Sequence, residues 1–138
     1  MKRATLTIVL AFNLHFINTS FSMDSSPFEP SEQRWIKMDS SDNSIEVDTA
    51  KLENMLWDYL HKNSQRNFEA PETYKFQYTV INSSIRINAF CWLPENFAKK
   101  HKFQKDEVIV WDGGTCYFRV IYENGAFINL YINGPTEE

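Results

Sequence analysis

Trp111-Asp112-Gly113-Gly114-Thr115-Cys116-Tyr117-Phe118-Arg119-Val120-Ile121-Tyr122 carries the pattern from which the fold follows. From Thr115 the residues alternate with a period of two. Cys116, Phe118, Val120 and Tyr122 fall on one side, and Thr115, Tyr117, Arg119 and Ile121 on the other. That period belongs to a β-strand, whose successive side chains point to opposite faces. Asp112-Gly113-Gly114 before it reads as a turn or bulge, because glycine tolerates positive φ. The stretch is expected to form the centre of a small sheet.

On its C-terminal side, Asn124-Gly125 is a tight-turn pair, since both residues tolerate positive φ. Ile128, Leu130 and Ile132 then alternate with Phe127, Asn129 and Tyr131, and Asn133-Gly134-Pro135 ends the strand. An acidic tail, residues 135–138, follows. On the N-terminal side, Glu107 to Trp111 reads as a short strand, preceded by a long polar loop from Pro94 to Asp106. Before the loop, Ile85, Ile87, Ala89, Cys91 and Leu93 alternate with Arg86, Asn88, Phe90 and Trp92. Tyr74, Phe76, Tyr78 and Val80 alternate with Lys75, Gln77 and Thr79, and Asn82-Ser83-Ser84 joins the two runs into a hairpin.

One helix precedes this all-β region. Asp48 is a good N-cap, and Val47 and Leu52 stand at the positions of a hydrophobic staple. Leu52, Met55, Leu56, Tyr59 and Leu60 recur at helical spacing, and His61 and Lys62 suit the negative end of the helix dipole. The spacing predicts a helix over 49–62. Before it, Trp35 to Met38 and Ile45 to Val47 flank the turn-forming Asp39-Ser40-Ser41-Asp42-Asn43, so a short extra hairpin is expected within residues 23–47.

The first residues follow another logic. Lys2 and Arg3 open an apolar run through Leu6, Ile8, Val9, Leu10, Phe12 and Leu14, and Ser20-Phe21-Ser22 supplies small residues after it. That order is the pattern of a secretory signal peptide over residues 1–22, with a buried N-terminal helix or strand as the alternative. The run is short and interrupted by Asn13 and His15, which argues against a membrane span. Export to the periplasm or the extracellular space is therefore expected. Removing residues 1–22 leaves 12 basic against 18 acidic residues, a net charge of −6. So acidic a chain argues against nucleic acid and anionic membranes as partners, since phosphate binding relies on clustered Lys and Arg. The one basic cluster, Lys99-Lys100-His101-Lys102, reads as a solvated loop.

Export also bears on Cys91 and Cys116, the two cysteines of the chain. An oxidising compartment favours a disulfide between them, and two buried thiols are the alternative. Without a Cys-x-x-Cys pair, and with His61 and His101 as the histidines beyond residue 22, neither a zinc site nor a thioredoxin-like motif is expected. No cofactor is expected.

Together these segments predict an α+β fold over residues 48–134, with one helix packed across a four-stranded antiparallel meander. The covered face would carry Cys91, Cys116, Phe118, Val120, Ile128, Leu130 and Ile132. The other would carry Phe90, Trp92, Tyr117, Ile121, Phe127 and Tyr131, covered either by the N-terminal segment with Phe28 and Trp35 or by a partner.

Helix-then-meander order is similar to the cystatin-like class of folds. The inhibitors of that name carry a Gln-x-Val-x-Gly loop. Here Gln77-Tyr78-Thr79-Val80-Ile81-Asn82 places valine one position late and lacks the glycine, so no inhibitory residue carries over. Phe90-Cys91, then Asp112-Gly113-Gly114-Thr115-Cys116-Tyr117-Phe118, then Asn133-Gly134 more closely resemble a group of small exported bacterial proteins. That resemblance spans roughly residues 74 to 134. It implies export, a sheet with paired cysteines and a bacterial source, and it transfers no catalytic residue.

The chemistry-bearing candidates are Asp112, His101, Glu107, His61 and Arg119. Asp112 could be a general base in an open turn, but aspartate before Gly-Gly more often satisfies turn amides. Gly-x-Ser-x-Gly, His-Glu-x-x-His and phosphate-loop motifs do not occur. Three readings follow. The first is a small binding protein, inhibitor or immunity-type, that contacts a protein partner through Phe90, Trp92, Trp111, Asp112, Tyr117 and Tyr131. The second is a small hydrolase or isomerase on a cystatin-like or related cone-shaped sheet, with a pocket near Asp112 lined by convergent polar groups. The third is a structural envelope protein.

Overall fold

The computed structural model describes residues 33–94 and 96–134. The expected signal peptide, residues 23–32 with Phe28, and the acidic tail lie outside them. The fold is α+β. Strand β1 (Trp35–Lys37) is followed by helix α1 (Thr49–Asn63), strands β2 (Lys75–Ile81) and β3 (Ser84–Phe90), a short helix α2 (Phe97–Lys100), and strands β4 (Tyr117–Glu123) and β5 (Ala126–Ile132). The strands form one sheet in the order β1-β2-β3-β4-β5. β2 to β5 are an antiparallel meander, whereas β1 lies parallel to β2, with Trp35 beside Phe76 and Lys37 beside Tyr78.

The parallel strand corrects the expected N-terminal hairpin and the four-strand count. Parallel neighbours need a crossover rather than a tight turn, and α1 supplies it. Glu53 on α1 fixes the arrangement. Its carboxylate accepts from Arg34 Nη2 at 2.7 Å and from Trp35 Nε1 at 2.7 Å. Trp35 then stacks on Phe76, their ring centroids 4.3 Å apart. Ile45 and Val47 form no strand and instead pack against the core ahead of the helix. Asp42 shapes the preceding turn by accepting from the amide and hydroxyl of Ser44 (2.8 and 2.7 Å), which hold its carboxyl below its ordinary pKa.

Helix α1 starts where its cap predicts. Asp48 Oδ1 accepts from the Lys51 amide at 3.0 Å. Leu52, Leu56 and Leu60, spaced by four, are buried on one stripe together with Trp57. They cover Phe76, Tyr78, Val80, Ile87, Ala89, Phe118 and Val120 on the inner face of the sheet. Trp57 meets Tyr74 and Phe118 edge-on, at 5.1 and 6.3 Å between centroids.

Two further expectations change. Glu107 to Trp111 is not a strand, and the central strand begins at Tyr117, after a single 3-10 turn over Gly114–Cys116. In β5 the inward residues are Phe127, Leu130 and Ile132, while Ile128 is exposed. Strict alternation fails because Asn129 has φ +53° and the β4–β5 register shifts between Arg119 and Ile121. A bulge adds one residue to one strand and exchanges the faces on either side of it.

Candidate functional site

The segment between β3 and β4 folds back over the outer face of the sheet, the face away from α1. Phe90, Leu93, Val108 and Tyr117 are buried beneath it, with Phe97, Phe103, Val110 and Cys116 packed around them. The chain's own loop therefore covers this part of the aromatic face. Trp35, expected as a possible cover, belongs to the helix-side core.

Gln77 is the pin that holds the loop. It is 1 % exposed. Its Nε2 donates to the carbonyls of Phe103 (2.7 Å) and Asp106 (2.8 Å), and its Oε1 accepts from the Val108 amide (2.8 Å) and Asn88 Nδ2 (3.1 Å). Asn88 Nδ2 also donates to the Val108 carbonyl at 2.8 Å. The Lys75 ammonium lies 5.8 Å from the centre of the Phe103 ring. Gln77 of β2 and Asn88 of β3 thus face loop backbone rather than water, and burying them is tolerable because their polar atoms are paired.

At its far end the loop is tied by a disulfide between Cys91 and Cys116, whose Cα atoms are 5.0 Å apart. Cys116 packs on the outer cluster and Cys91 on the inner one, so the two cysteines do not share the covered face as expected. Gly113 is close-packed. A Cβ there would lie 1.7 Å from Tyr117 Cδ2, so the position needs glycine for space, and its φ of −95° is ordinary. Positive φ occurs instead at Asp112 (+64°) and Gly114 (+56°). The Tyr117 hydroxyl donates to the Trp92 carbonyl, and Asn133 Nδ2 donates to the Val110 carbonyl. Burial pushes the Tyr117 phenol above its ordinary pKa.

The sequence-derived contact residues therefore divide. Phe90 and Tyr117 are buried under the loop and present no contact surface. Trp92, Trp111 and Tyr131 are exposed, Trp111 by 86 %, and Asp112 is exposed beside it. Ile109, exposed by 57 %, joins them. These exposed residues lie around Tyr117 and Asn133. Ile109 lines the same small indentation as both, Trp92 accepts from Tyr117, and Trp111 follows the carbonyl that holds Asn133. Tyr131 stands opposite Arg119 on β4, whose guanidinium lies 5.3 Å from the Tyr131 ring centre.

Where the loop stops, the outer face is open. A groove of about 450 Å³ runs over β2, β3 and β4, and its walls include Thr79, Arg86, Asn88, Glu107, Arg119 and Asn129. Asp112 is not among the lining residues. Of the catalytic candidates, the structure brings Glu107 and Arg119 together. It leaves His61 at the end of α1 and His101 stacked on Phe97. Arg86 and the floor residues Gln77 and Asn88 were not singled out from sequence. Their one signal is an outward position on adjacent strands, shared with Arg119. Among the described residues no group of three or more His, Cys, Asp or Glu side chains could hold a metal ion, and no helix is long and apolar enough to cross a membrane.

No protein-family model, curated protein or solved structure matches the chain.

Proposed function

We propose that the chain is a small exported binding protein that acts on a protein partner, as an inhibitor or immunity-type protein does. One observation carries this reading. Trp92, Ile109, Trp111 and Tyr131 remain exposed around the disulfide-tied end of the outer face, on a frame fixed by Tyr117 and Asn133. Tryptophan and tyrosine on rigid backbone are the residues that dominate protein–protein hot spots. The disulfide supports export, and the helix-and-meander arrangement supports the cystatin-like likeness.

The test is capture of a partner by the purified protein from envelope and secreted fractions of its source, beside a Trp92→Ala, Trp111→Ala variant. The reading expects one stoichiometric partner that the variant loses. Absence of a partner, or one that the variant retains, overturns it. A second reading, a small hydrolase or isomerase, is favoured by the polar outer groove rather than by Asp112. A groove-dependent turnover abolished by Glu107→Gln would support that alternative.

A further inference from the structure

The outer groove has an unbalanced charge. Arg86 on β3 and Arg119 on β4 both line it. Asn88 is directly opposite Arg119, and Arg86 lies two residues along β3, so the arginines are diagonal neighbours on one face. Such a pair has its Cα atoms about 7–8 Å apart, within reach of one another's long side chains. Like charges so placed repel, and among the described residues neither guanidinium has a carboxylate at ion-pair distance. This occurs in a chain where acidic residues outnumber basic ones, 18 to 14, so surplus positive charge is not a general surface property.

The two arginines are also differently prepared. Arg119 is held against the Tyr131 ring, which orients its fork at little further entropic cost. The floor beneath them is fixed, since the Gln77 and Asn88 amides are committed to loop backbone. Glu107 is the carboxylate in the wall, so the arginines and Glu107 leave the groove a net charge of +1. Guanidinium forks pair bidentately with carboxylates, and one bound carboxylate group neutralises the one surplus positive charge.

We infer that this groove is a carboxylate-binding site, in which Arg86 and Arg119 take one carboxylate between them. The inference stands apart from the protein-binding reading, because the carboxylate can belong to a small acid or to an Asp or Glu side chain of a partner.

The experiment is calorimetric titration of the purified protein with disodium succinate, with an N-acetylated, C-amidated tetraglutamate peptide and with sodium sulfate, all at matched ionic strength. It compares the native chain with Arg86→Gln, Arg119→Gln and, as a charge control on the exposed surface of α1, Lys51→Gln. Saturable binding of succinate or of the peptide is expected. Either arginine variant should weaken it at least about tenfold, the loss of one charge-assisted pair, and Lys51→Gln should leave it unchanged. Binding of both probes identifies a site that admits free small acids. Binding of the peptide alone identifies a site that reads carboxylates presented by a protein. No saturable binding of either probe, equal weakening by Lys51→Gln, or tighter binding of sulfate than of both carboxylates would overturn the inference. Capture of a partner that Arg86→Gln and Arg119→Gln leave intact keeps the protein-binding reading while removing this groove from it.

Discussion

Replacing Gln77 by leucine should release the loop between β3 and β4 without unfolding the helix-side core. Leucine fills a similar volume but removes both donors and the acceptor. Four hydrogen bonds between 2.7 and 3.1 Å are lost, three of them to loop backbone. At a net contribution of about 1 kcal/mol each, the substitution costs ~4 kcal/mol. Leaving the carbonyls of Phe103 and Asp106 and the Val108 amide dry and unpaired would cost ~1–3 kcal/mol per group. Detachment of the loop lets water pair those groups, and it exposes Phe90, Val108 and Tyr117 while Leu56, Phe76 and Phe118 stay packed. Urea titration followed by tryptophan fluorescence should show the loss of stability, and amide exchange should show the Val108 N–H unprotected while β2 and β3 remain protected. Gln77→Glu is the companion variant. Burial opposite two carbonyls would raise its carboxyl pKa above the unfolded value of about 4.3, so its stability is greatest below that value and is lost as pH rises. A Gln77→Leu protein less than ~1 kcal/mol weaker, with Val108 still protected, would refute the claim that this side chain holds the loop.

Four other outcomes test the framework. Replacing both Cys91 and Cys116 by serine opens a cross-link of sequence separation 25 and should cost ~3.5 kcal/mol in the chain-entropy account, read as a lower urea midpoint with the loop more open to protease. Gly113→Ala drives a methyl group into the Tyr117 ring, where a Cβ would sit 1.7 Å from the nearest atom, and should cost more than about 2 kcal/mol, with altered Tyr117 signals in near-ultraviolet circular dichroism. Asp48→Ala removes the N-cap of α1 and should lower stability by ~1 kcal/mol, measured in the same urea titration. Burial raises the Tyr74 phenol to about 12, above its ordinary value of 10, while its hydroxyl donates to the Thr115 carbonyl at 2.8 Å. The folded chain thus keeps this proton longer than the unfolded one, so stability should fall as pH rises between those two values, and Tyr74→Phe should flatten that part of the profile.

The features legible in the sequence are those with local causes. Asp48, the leucines spaced by four and the alternation in β2, β3 and β4 placed the helix and meander within a few residues of their observed bounds. What escaped depends on distant partners. Trp35–Lys37 has the composition of a strand, but its parallel pairing depends on Glu53, which receives Arg34 and Trp35 from across the crossover. The inward turn of Phe127 depends on one backbone angle at Asn129, whose neighbours alternate in either register. Gln77 and Lys75 stand at outward positions, where the alternation alone does not tell solvent from a cover. They are buried because the segment between β3 and β4 returns to cover them, and no periodicity reports that. The site residues divide by the same rule, since the aromatic face was visible as a pattern but the loop that hides Phe90 and Tyr117 was not.

That loop also explains why the groove exists. An outer face made only of large apolar residues would be sealed along its length or would aggregate. Here the face changes character along the strands. At the disulfide end Phe90 and Tyr117 accept an apolar cover, in the middle Gln77 and Asn88 hold the cover by its backbone, and beyond them Thr79, Arg86 and Arg119 line the open groove. The polar pair is thus the border between a sealed half and an open half. Opening the loop with Gln77→Leu should then remove one wall of the groove, because Glu107 lies between Asp106 and Val108, both bonded to Gln77. Loss of carboxylate binding in a chain that keeps both arginines would show that the loop shapes the site. Unchanged binding would show that the arginine pair on the sheet suffices.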